Sequence, residues 1–307
     1  SAPAVTALLG SLLRQAGVDS GGAEAMARAV LGEIFAAAEW WSEHQTMSRP
    51  DFVAYLDDLL WPGLAATGID RLTEPVDLSG IARLIGEVIG TILAEKGLRG
   101  IVVGYDGRLS SEKLAEGLTE GLVSAGVSVL NIGQVPTPLV YFASHNSEYS
   151  SGISVTGSHN PPDYNGFKIV IDGHTLSGDE ITGIFERIVE KKVVKAQQPG
   201  HVSSKDIVPD YTRHIANDIQ IDRRLKVVVD CGNGVPGAVA PDVLSAIGAE
   251  VESIYCEVDG NFPNHHPDPS QPKNLADLTG RLARGDCEIG LAFDGDGDRL
   301  GVVTKDG

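Results

Sequence analysis

A serine in a short polar stretch is the first residue whose surroundings indicate chemistry. Ser158 stands in the string Thr-Gly-Ser-His-Asn-Pro at 156–161, directly after a β-branched run typical of a strand. Ligands of open α/β sheets bind at the carboxyl ends of strands, so a rigid loop there could present this hydroxyl. Serine alone is a weak nucleophile, and His159 and Lys168 are the candidates to assist it. A turn in which Ser158 and Asn160 only bond their own backbone stays open as the alternative.

Three aspartates separated by single glycines form the second candidate. Asp294, Asp296 and Asp298 follow a predicted buried strand, and glycine permits the backbone angles that would curl their oxygens onto one hard cation. Without a cation their mutual repulsion is costly. A calcium loop of the EF-hand kind needs glycine at its sixth position and glutamate at its twelfth, where this chain has Arg299 and Lys305. The pattern favours an octahedral magnesium site completed by a phosphate oxygen over a solvated acidic turn.

Two arginines near these stretches could bind a phosphate. Arg299 follows the carboxylates closely enough to clamp a phosphate with its planar guanidinium, although alone it could equally form a surface ion pair. Arg108 ends the string Gly-Tyr-Asp-Gly-Arg at 104–108 and could instead steady the serine-bearing loop from behind. We place Arg299, Arg108 and Asn160 among the expected substrate-binding residues.

Two further strings have competing interpretations. Asp-Cys-Gly-Asn-Gly at 230–234 follows a predicted strand and could place backbone amides near an anion, or it could be a tight connection between a strand and a helix. Asn-His-His-Pro at 264–267 contains adjacent histidines, which rarely point at one ion. We therefore interpret this histidine pair as structural rather than metal-binding.

The spacing of apolar residues indicates the elements that position these side chains. From residue 100 onward, short β-branched runs alternate with amphipathic stretches, which is typical of βαβ units around a mostly parallel sheet. A helix is predicted at 110–124, and strands are predicted at 101–103, 127–132, 153–156, 167–171, 226–230, 250–256, 288–293 and 300–304. The polar stretch 191–206 predicts a boundary. We expect two consecutive mixed or mostly parallel α/β domains, at 67–198 and 207–307.

The first 66 residues have a different character. All three tryptophans lie there, together with an Ala-rich stretch at 23–38 whose apolar positions recur at three and four residues, as helices require. Pro50 fits the first turn of a further helix, and Pro62 with Gly63 would end it. A helical segment at 1–66 is therefore predicted before the two α/β domains.

Composition and charge limit the classes of partner. The 307 residues are 42% hydrophobic and carry a net charge of -18, so the surface should repel nucleic acid and anionic membranes. There is no apolar run of ~20 residues and no charged-then-apolar leader, which predicts neither membrane spanning nor export and a cytoplasmic location. Cys231, Cys256 and Cys287 form no C-x-x-C pair, which argues against a disulfide framework or zinc site and favours buried side chains.

Four strings, taken in order, resemble the α-D-phosphohexomutase family. They are Thr-Gly-Ser-His-Asn-Pro at 156–161, Asn-Gly-Phe-Lys at 165–168, Asp-Cys-Gly-Asn-Gly at 230–234 and Asp-Gly-Asp-Gly-Asp-Arg at 294–299. The run Val-Asp-Gly-Asn-Phe-Pro-Asn-His-His-Pro-Asp-Pro at 258–269 is similar to the bacterial phosphomannomutase/phosphoglucomutase branch. The resemblance covers residues 77–307 and implies the first two domains of that family, the first with a phosphoserine loop and the second with a metal loop.

The resemblance implies a role for each matching residue. Ser158 matches the phosphorylated serine, and His159 and Lys168 match residues at the reacting hydroxyl, with Lys168 the better candidate for proton transfer. Arg299 matches an arginine on the phosphate side. The implied ligands of Mg²⁺ are a phosphoserine oxygen of Ser158 and the carboxylates of Asp294, Asp296 and Asp298. The implied reaction moves a phosphoryl group between the 1- and 6-positions of a hexose phosphate, with hexose 1,6-bisphosphate as activator, and the choice between mannose and glucose stays open.

The chain also departs from the family pattern. The arginine-bearing strand Tyr-Asp-Ile-Arg-Gly that opens the family's first domain is matched only faintly at 68–71, and the chain ends before the third and fourth domains, so we expect weak substrate affinity. The segment 1–66 resembles the C-terminal ligand-binding and dimerisation part of TetR-type regulators, which leaves a homodimer through its helices as an expectation. The alternative function is a non-catalytic phosphosugar- and metal-binding or regulatory protein.

Overall fold

The structure, a computed structural model, describes residues 77–305 of the chain. The helical segment expected at 1–66, the string at 68–71 and a homodimer contact of the N-terminal helices lie outside the described residues. From Leu78 onward the chain forms one compact unit. None of the helices between residues 77 and 305 combines the length and the apolar character that a membrane span requires.

The first domain is built on a six-stranded sheet. In chain order its elements are α1 (Leu78–Glu95), β1 (Gly100–Tyr105), α2 (Ser111–Ser124), β2 (Ser128–Gln134), α3 (Thr137–Asn146), β3 (Gly152–Val155), β4 (Phe167–Ile171), β5 (His174–Thr175), α4 (Asp179–Val189) and β6 (Val202–Ser204). The strand order is β5-β4-β3-β1-β2-β6. β1, β2, β3 and β6 run parallel, whereas β4 is antiparallel to both β3 and β5, so the sheet is mixed.

Helices cover both faces of this sheet. Side chains alternate between the faces of a strand, so Ile101 and Val103 pack into one core with α1 and α2, while Val102 between them packs into another core with α3. Ile89 and Leu93 of α1 are fully buried in the first of these cores. Burial on both faces explains why the central strands read as continuous apolar runs rather than alternating ones.

The second domain follows α5 (Val208–Asp218) and contains a four-stranded sheet. Its elements are β7 (Lys226–Asp230), α6 (Ala240–Ala246), β8 (Glu250–Ile254), α7 (Ala276–Arg284), β9 (Ile289–Phe293) and β10 (Leu300–Thr304). The strand order is β10-β9-β7-β8, with β7 parallel to β8 and β9 and with β10 antiparallel to β9. Leu278 and Leu282 of α7 pack against Val228 and Ala292 on one face.

The predicted α/β fold with two mixed sheets is confirmed. Each predicted strand is present, with ends that differ by at most two residues, and the helix predicted at 110–124 is α2. The strand β6 was not expected, because it lies inside the polar stretch 191–206 and extends the first sheet beyond residue 198. Its three side chains are exposed, so it has no apolar pattern and is held by backbone pairing with β2. Cys231 and Cys287 are buried as expected, and Cys256 is half-buried.

The candidate residues lie at the carboxyl ends of the strands. The string 104–108 begins in the last two residues of β1 and continues beyond the strand, and the string 230–234 begins at the last residue of β7. The segment 156–166, which we call the serine loop, connects β3 to β4, and the segment 294–299, the carboxylate loop, connects β9 to β10. Because the carboxyl ends of parallel strands share one edge of a sheet, each domain collects its polar side chains at that edge.

Candidate active site

The serine loop leaves β3 and brings its hydroxyl to the second domain. Ser158 has φ 51°, a left-handed conformation that non-glycine residues adopt only rarely. Its N–H donates to Thr156 Oγ1 at 2.8 Å, which holds the turn. Only 9% of Ser158 is exposed, and its Oγ donates to Asp294 Oδ2 at 3.1 Å. The two loops therefore meet at this serine and this aspartate.

A single buried arginine supports the serine loop. The side chain of Arg108 is 0% exposed, and the ring of Phe262 lies 5.2 Å from its guanidinium carbon. Its Nε donates to Asp106 Oδ2 at 3.1 Å. The remaining four N–H groups donate to backbone carbonyl oxygens of the serine loop, those of Ser158, Asn160, Pro161 and Tyr164. A guanidinium has five donors, so every donor of Arg108 is used within the protein.

Asp106 is the acceptor on which the same network converges. Its Oδ1 accepts the Ser111 hydroxyl at 2.5 Å and the Arg108 N–H at 3.0 Å. Its Oδ2 accepts the Thr156 hydroxyl at 2.8 Å and the Gly157 N–H at 3.2 Å, in addition to Arg108 Nε. Because this buried ion pair has partners for its charged groups, it can rigidify the loop without leaving a charge uncompensated.

The expected substrate-binding role of Arg108 needs correction. No N–H group of its buried guanidinium is left for a ligand, so the hydrogen bonds favour the other role expected of Arg108, which is to steady the serine loop. Asp106 was missed by sequence reasoning, although it stands in the same string. The available signal was a carboxylate directly after a buried strand with an arginine two residues on.

The carboxylate loop gathers its three acidic side chains as expected. Asp294 and Asp296 are fully buried, and the side chain of Asp298 is 31% exposed. One oxygen from each of the three lies within 4.8 Å of the others. The loop is closed by the N–H of Arg299, which donates to Asp294 Oδ1 at 3.1 Å.

One ammonium binds two of these three carboxylates. Lys168 of β4 donates to Asp296 Oδ2 at 2.6 Å and to Asp298 Oδ2 at 2.5 Å. Burial alone lowers the pKa of Lys168, but the charges and hydrogen bonds of the two carboxylates outweigh burial and hold the pKa above its ordinary value. Burial, followed by the charge of Asp296, raises the pKa of Asp294 to about 7. The group is therefore short of positive charge.

The residues present fit a hard divalent cation. Asp296 Oδ1 is buried and has no hydrogen-bond partner, which is a costly state for a carboxylate oxygen. A cation would satisfy that oxygen and offset the repulsion that raises the pKa of Asp294. Asp294, Asp296, Asp298 and Ser158 offer oxygen atoms only, the ligand type that Mg²⁺ prefers.

The other predicted site residues lie at the rim of the two loops. His159 is half-buried, with Nδ1 3.5 Å from Ser158 Oγ. Asn160 is exposed. The Arg299 side chain is 50% exposed, with Nε 3.9 Å from Asp298 Oδ1. The structure thus brings Ser158, His159, Lys168 and the three aspartates together and leaves Asn160 and Arg299 accessible beside them.

The string 230–234 supports the carboxylate loop rather than an anion. The N–H groups of Gly232, Asn233 and Gly234 donate to protein oxygens at 2.9, 2.7 and 2.7 Å. The next N–H, that of Val235, donates to the carbonyl oxygen of Gly295 at 3.1 Å. Because these amides are already used, the tight-connection interpretation of this string is the one that the structure supports.

The adjacent histidines bond different acceptors, in line with their structural interpretation. His265 Nε2 donates to both oxygens of Asp230 at 3.0 Å, and its Nδ1 donates to the carbonyl oxygen of His266. Burial lowers the pKa of His265, but the hydrogen bond to Asp230 and its charge outweigh burial and raise the pKa. His266 Nε2 donates to the carbonyl oxygen of His159 and so fastens the serine loop to the second domain.

Glycine is required where the two loops touch. A Cβ on Gly295 would lie 2.5 Å from the carbonyl oxygen of Ser158, and a Cβ on Gly157 would lie 2.4 Å from the guanidinium carbon of Arg108. Any side chain at either position would push the loop away from its partner. These glycines therefore serve close approach of the backbone.

Family models match the chain in three stretches. The model described as Phosphoglucomutase/phosphomannomutase, alpha/beta/alpha domain I, matches residues 76–194, and the model for alpha/beta/alpha domain II matches residues 209–307. A model described as Tetracyclin repressor-like, C-terminal domain, matches residues 13–76, in agreement with the resemblance noted for the N-terminal segment.

Named relatives and a solved structure agree with the first two models. A phosphoglucomutase of Neisseria meningitidis serogroup A is 51% identical over 226 residues, which cover 74% of this chain and 49% of the relative. A phosphomannomutase/phosphoglucomutase of Pseudomonas aeruginosa is 50% identical over 223 residues, 73% of this chain and 48% of the relative. The crystal structure of a phosphoglucomutase/phosphomannomutase family protein from Burkholderia thailandensis superposes with a TM-score of 0.73 at 46% identity, covering 76% of this chain and 52% of that one.

The chain spans about half the length of the curated relatives it matches. Through residues 76–194 and 209–307 it belongs to the phosphoglucomutase/phosphomannomutase family, whose domains I and II it carries.

Proposed function

We propose that Ser158 is a phosphoryl carrier and that this chain supplies the phosphoserine and magnesium half of a phosphohexomutase. The observation that carries the proposal is the 3.1 Å hydrogen bond from Ser158 Oγ to Asp294 Oδ2. It joins a hydroxyl on a strained, fixed loop to a carboxylate group suited to a hard cation. Relatives that are 51% and 50% identical are named phosphoglucomutase and phosphomannomutase/phosphoglucomutase, and these names support a hexose phosphate as substrate.

In the proposed reaction, phosphorylated Ser158 donates to a hydroxyl at the 1- or 6-position of a hexose monophosphate. The bond between Ser158 Oγ and phosphorus breaks as a new phosphorus–oxygen bond forms to the sugar, and the sugar hydroxyl's proton ends on Ser158 Oγ. The resulting hexose 1,6-bisphosphate reorients, and its other phosphate returns to Ser158 by the reverse steps. When bound, magnesium offsets negative charge on the transferring phosphoryl group.

The surrounding side chains divide the remaining work. Lys168, held as a cation beside the carboxylates, gives a proton to Ser158 Oγ as the bond to phosphorus breaks and takes up the proton of the sugar hydroxyl, so it ends the step as the same ammonium. His159 borders the same oxygen. The exposed side chains of Asn160 and Arg299 bind the sugar phosphate, since a guanidinium suits phosphate recognition.

Mass spectrometry of the full chain tests this proposal. The chain is incubated with Mg²⁺ and hexose 1,6-bisphosphate, and its peptides are mapped for phosphate. We expect one phosphoryl group on Ser158, absent in Ser158→Ala and retained in Ser150→Ala, which changes an exposed serine outside the site. No uptake by the parent chain, or equal uptake by Ser158→Ala, would refute the carrier role. Comparing glucose and mannose 1,6-bisphosphates as donors gives the sugar preference.

The N-terminal segment carries a separate proposal. The match of residues 13–76 to a Tetracyclin repressor-like C-terminal domain supports a homodimer formed through this segment. All three tryptophans lie there, so tryptophan fluorescence reports on it alone. We expect the emission maximum to change with protein concentration in step with a monomer–dimer transition in sedimentation. Dimerisation without a fluorescence change would place the interface elsewhere.

A further inference from the structure

A threonine of the first domain reaches across to the carboxylate loop. Thr137 is the first residue of α3 and is fully buried. Its Oγ1 donates to Asp296 Oδ2 at 2.5 Å, and its N–H donates to the carbonyl oxygen of Asp296 at 2.9 Å. One residue of the first domain therefore holds both the side chain and the backbone of an aspartate in the second.

The single proton of the Thr137 hydroxyl fixes the direction of the bonds around it. An ionised carboxylate only accepts, so Thr137 gives its proton to Asp296. Ser154 Oγ lies 2.8 Å from Thr137 Oγ1 and must then be the donor in that second bond. Ser154 is fully buried on β3. The result is a buried chain of donors from Ser154 through Thr137 to Asp296, in which each bond polarises the next.

This chain of donors converges with Lys168 on one oxygen of Asp296. Lys168 Nζ donates to the same Oδ2 at 2.6 Å. Ser154 and Lys168 are cross-strand partners in the antiparallel pair of β3 and β4, so both side chains stand on one face of the sheet. The two strands thus supply two donors to Oδ2, one directly and one through Thr137.

The other oxygen of Asp296 is left bare. Oδ1 is buried and has no hydrogen-bond partner, while Oδ2 has two. Rotating the carboxylate would break both bonds to Oδ2 and the donor chain behind Thr137. The carboxylate is therefore locked in one orientation, and the oxygen it presents is the one free to accept a cation.

We propose that Thr137 is a positioning residue for divalent-cation binding, because it occupies Asp296 Oδ2 and so presents Oδ1 as the ligand. The inference rests on the proposed magnesium site and adds a residue that no match of motif or spacing identified. Outer partners that orient metal ligands typically change metal affinity by about 10–100-fold when removed. The contact of Thr137 with Asp296 also makes cation affinity depend on the packing of α3 against the carboxylate loop.

Metal affinity of the full chain is the direct readout. Thr137→Val removes the hydroxyl at nearly constant shape and keeps the backbone bond, whereas Thr137→Ser keeps the hydroxyl. Calorimetric titration with Mg²⁺ should show binding weakened by roughly 10-fold or more in Thr137→Val and close to the parent in Thr137→Ser. The probe is the metal alone, so mutase activity is not needed.

Thr91→Val is the matched control. Thr91 is a buried threonine in α1 whose hydroxyl donates to the carbonyl oxygen of Glu87 at 2.8 Å and accepts the N–H of Val194 at 3.0 Å. Its replacement removes a comparable pair of hydrogen bonds far along the chain from the carboxylate loop. We expect a similar loss of unfolding free energy in both valine variants and a loss of Mg²⁺ affinity in Thr137→Val alone.

The outcomes separate this inference from the proposed function. A parent chain that binds no Mg²⁺ would refute the metal site itself. A parent that binds, together with an unchanged affinity in Thr137→Val or an equal loss in Thr137→Ser, would overturn only the role of Thr137. If Thr137→Val fails to fold by circular dichroism, Ser154→Ala replaces it, with a smaller loss of affinity expected and an unchanged affinity counting against the donor chain.

Discussion

The serine loop and the carboxylate loop meet at one hydrogen bond but are held in opposite ways. In the serine loop, Arg108 uses all five of its donors and Asp106 accepts five hydrogen bonds, so the network is complete. In the carboxylate loop, the Lys168 ammonium binds Asp296 and Asp298 but not Asp294, the Arg299 guanidinium approaches only Asp298, and Asp296 Oδ1 has no partner. The hydrogen bonds of the serine loop are thus complete within the protein, whereas the carboxylate loop keeps a buried oxygen that could accept a cation.

This difference shows that the uncompensated charge of the site lies in the carboxylate loop and not in the serine loop. A preorganised hydroxyl costs no reorganisation when it reacts. The carboxylate loop, in contrast, keeps repulsion that a cation would relieve, and burial with the charge of Asp296 raises the pKa of Asp294 to about 7 as a result. The complete loop should therefore respond to mutation through stability, and the incomplete loop through metal binding.

The largest effect is expected from breaking the complete loop. Arg108→Met leaves Asp106 buried without its cationic partner and four loop carbonyls without donors. We expect the free energy of unfolding to fall by about 3–5 kcal/mol in chemical denaturation, because an uncompensated buried charge is costly. Arg187→Met, which breaks an exposed pair with Glu95, should cost less than about 1 kcal/mol. A loss of similar size in both variants would contradict the account of the serine loop.

The second prediction concerns the contact between the serine loop and the carboxylate loop. Gly295→Ala places a Cβ 2.5 Å from the Ser158 carbonyl oxygen, so one loop must move. We expect a loss of roughly 1–3 kcal/mol in unfolding free energy, together with impaired phosphorylation of Ser158. Gly183→Ala is the matched control, since a Cβ there meets nothing within 4 Å in α4, and it should stabilise by about 0.5–1 kcal/mol. Normal labelling of Ser158 in Gly295→Ala would show that loop contact is dispensable.

The third prediction concerns the charge repulsion among the aspartates of the carboxylate loop. Asp294→Asn removes one of three crowded charges, so in EDTA at a single alkaline pH the variant should be more stable than the parent by roughly 1–3 kcal/mol. Added Mg²⁺ should stabilise the parent and leave the variant unchanged, because binding to the native state raises stability. Thermal melts measure both effects. Asp286→Asn, which changes an exposed aspartate, is the control and should alter neither the stability in EDTA nor the stabilisation by Mg²⁺. An Asp294→Asn variant that is less stable than the parent in EDTA would argue against the charge imbalance.

The smallest effect concerns the histidine that pairs with Asp230. The pKa of His265 is raised in the folded chain, so its contribution to stability is present in full below the unfolded histidine pKa of about 6.5 and is lost as pH rises through the folded pKa. Against His265→Gln, the parent should therefore be favoured by about 1 kcal/mol near pH 6 and by less near pH 9. Unfolding curves across this range test the slope. An advantage of the parent that grows with pH would reverse the assigned sign.

The parts of the molecule that could be predicted from sequence are those with local signals. Strands buried on both faces read as apolar runs, whereas β6 has exposed side chains and depends on its pairing with β2. Ser158 and the three aspartates stand out through residue type and spacing. The sequence offers support of the serine loop as one of two roles for Arg108, and the hydrogen bonds between residues 50 apart decide in its favour. The contact of Thr137 with Asp296 joins residues 159 apart, so no local pattern could reveal it.

The most direct test of the central claim is the cation dependence of phosphoryl uptake by Ser158. The full chain is incubated with hexose 1,6-bisphosphate in Mg²⁺ or in EDTA, circular dichroism verifies folding in both, and peptide mass spectrometry follows Ser158 with time. We predict a folded chain in both conditions and a phosphoryl group on Ser158 only with Mg²⁺, because the serine loop is complete without the cation and the carboxylate loop is not. Equal phosphorylation of Ser158 in EDTA, or uptake on another residue alone, would contradict the account.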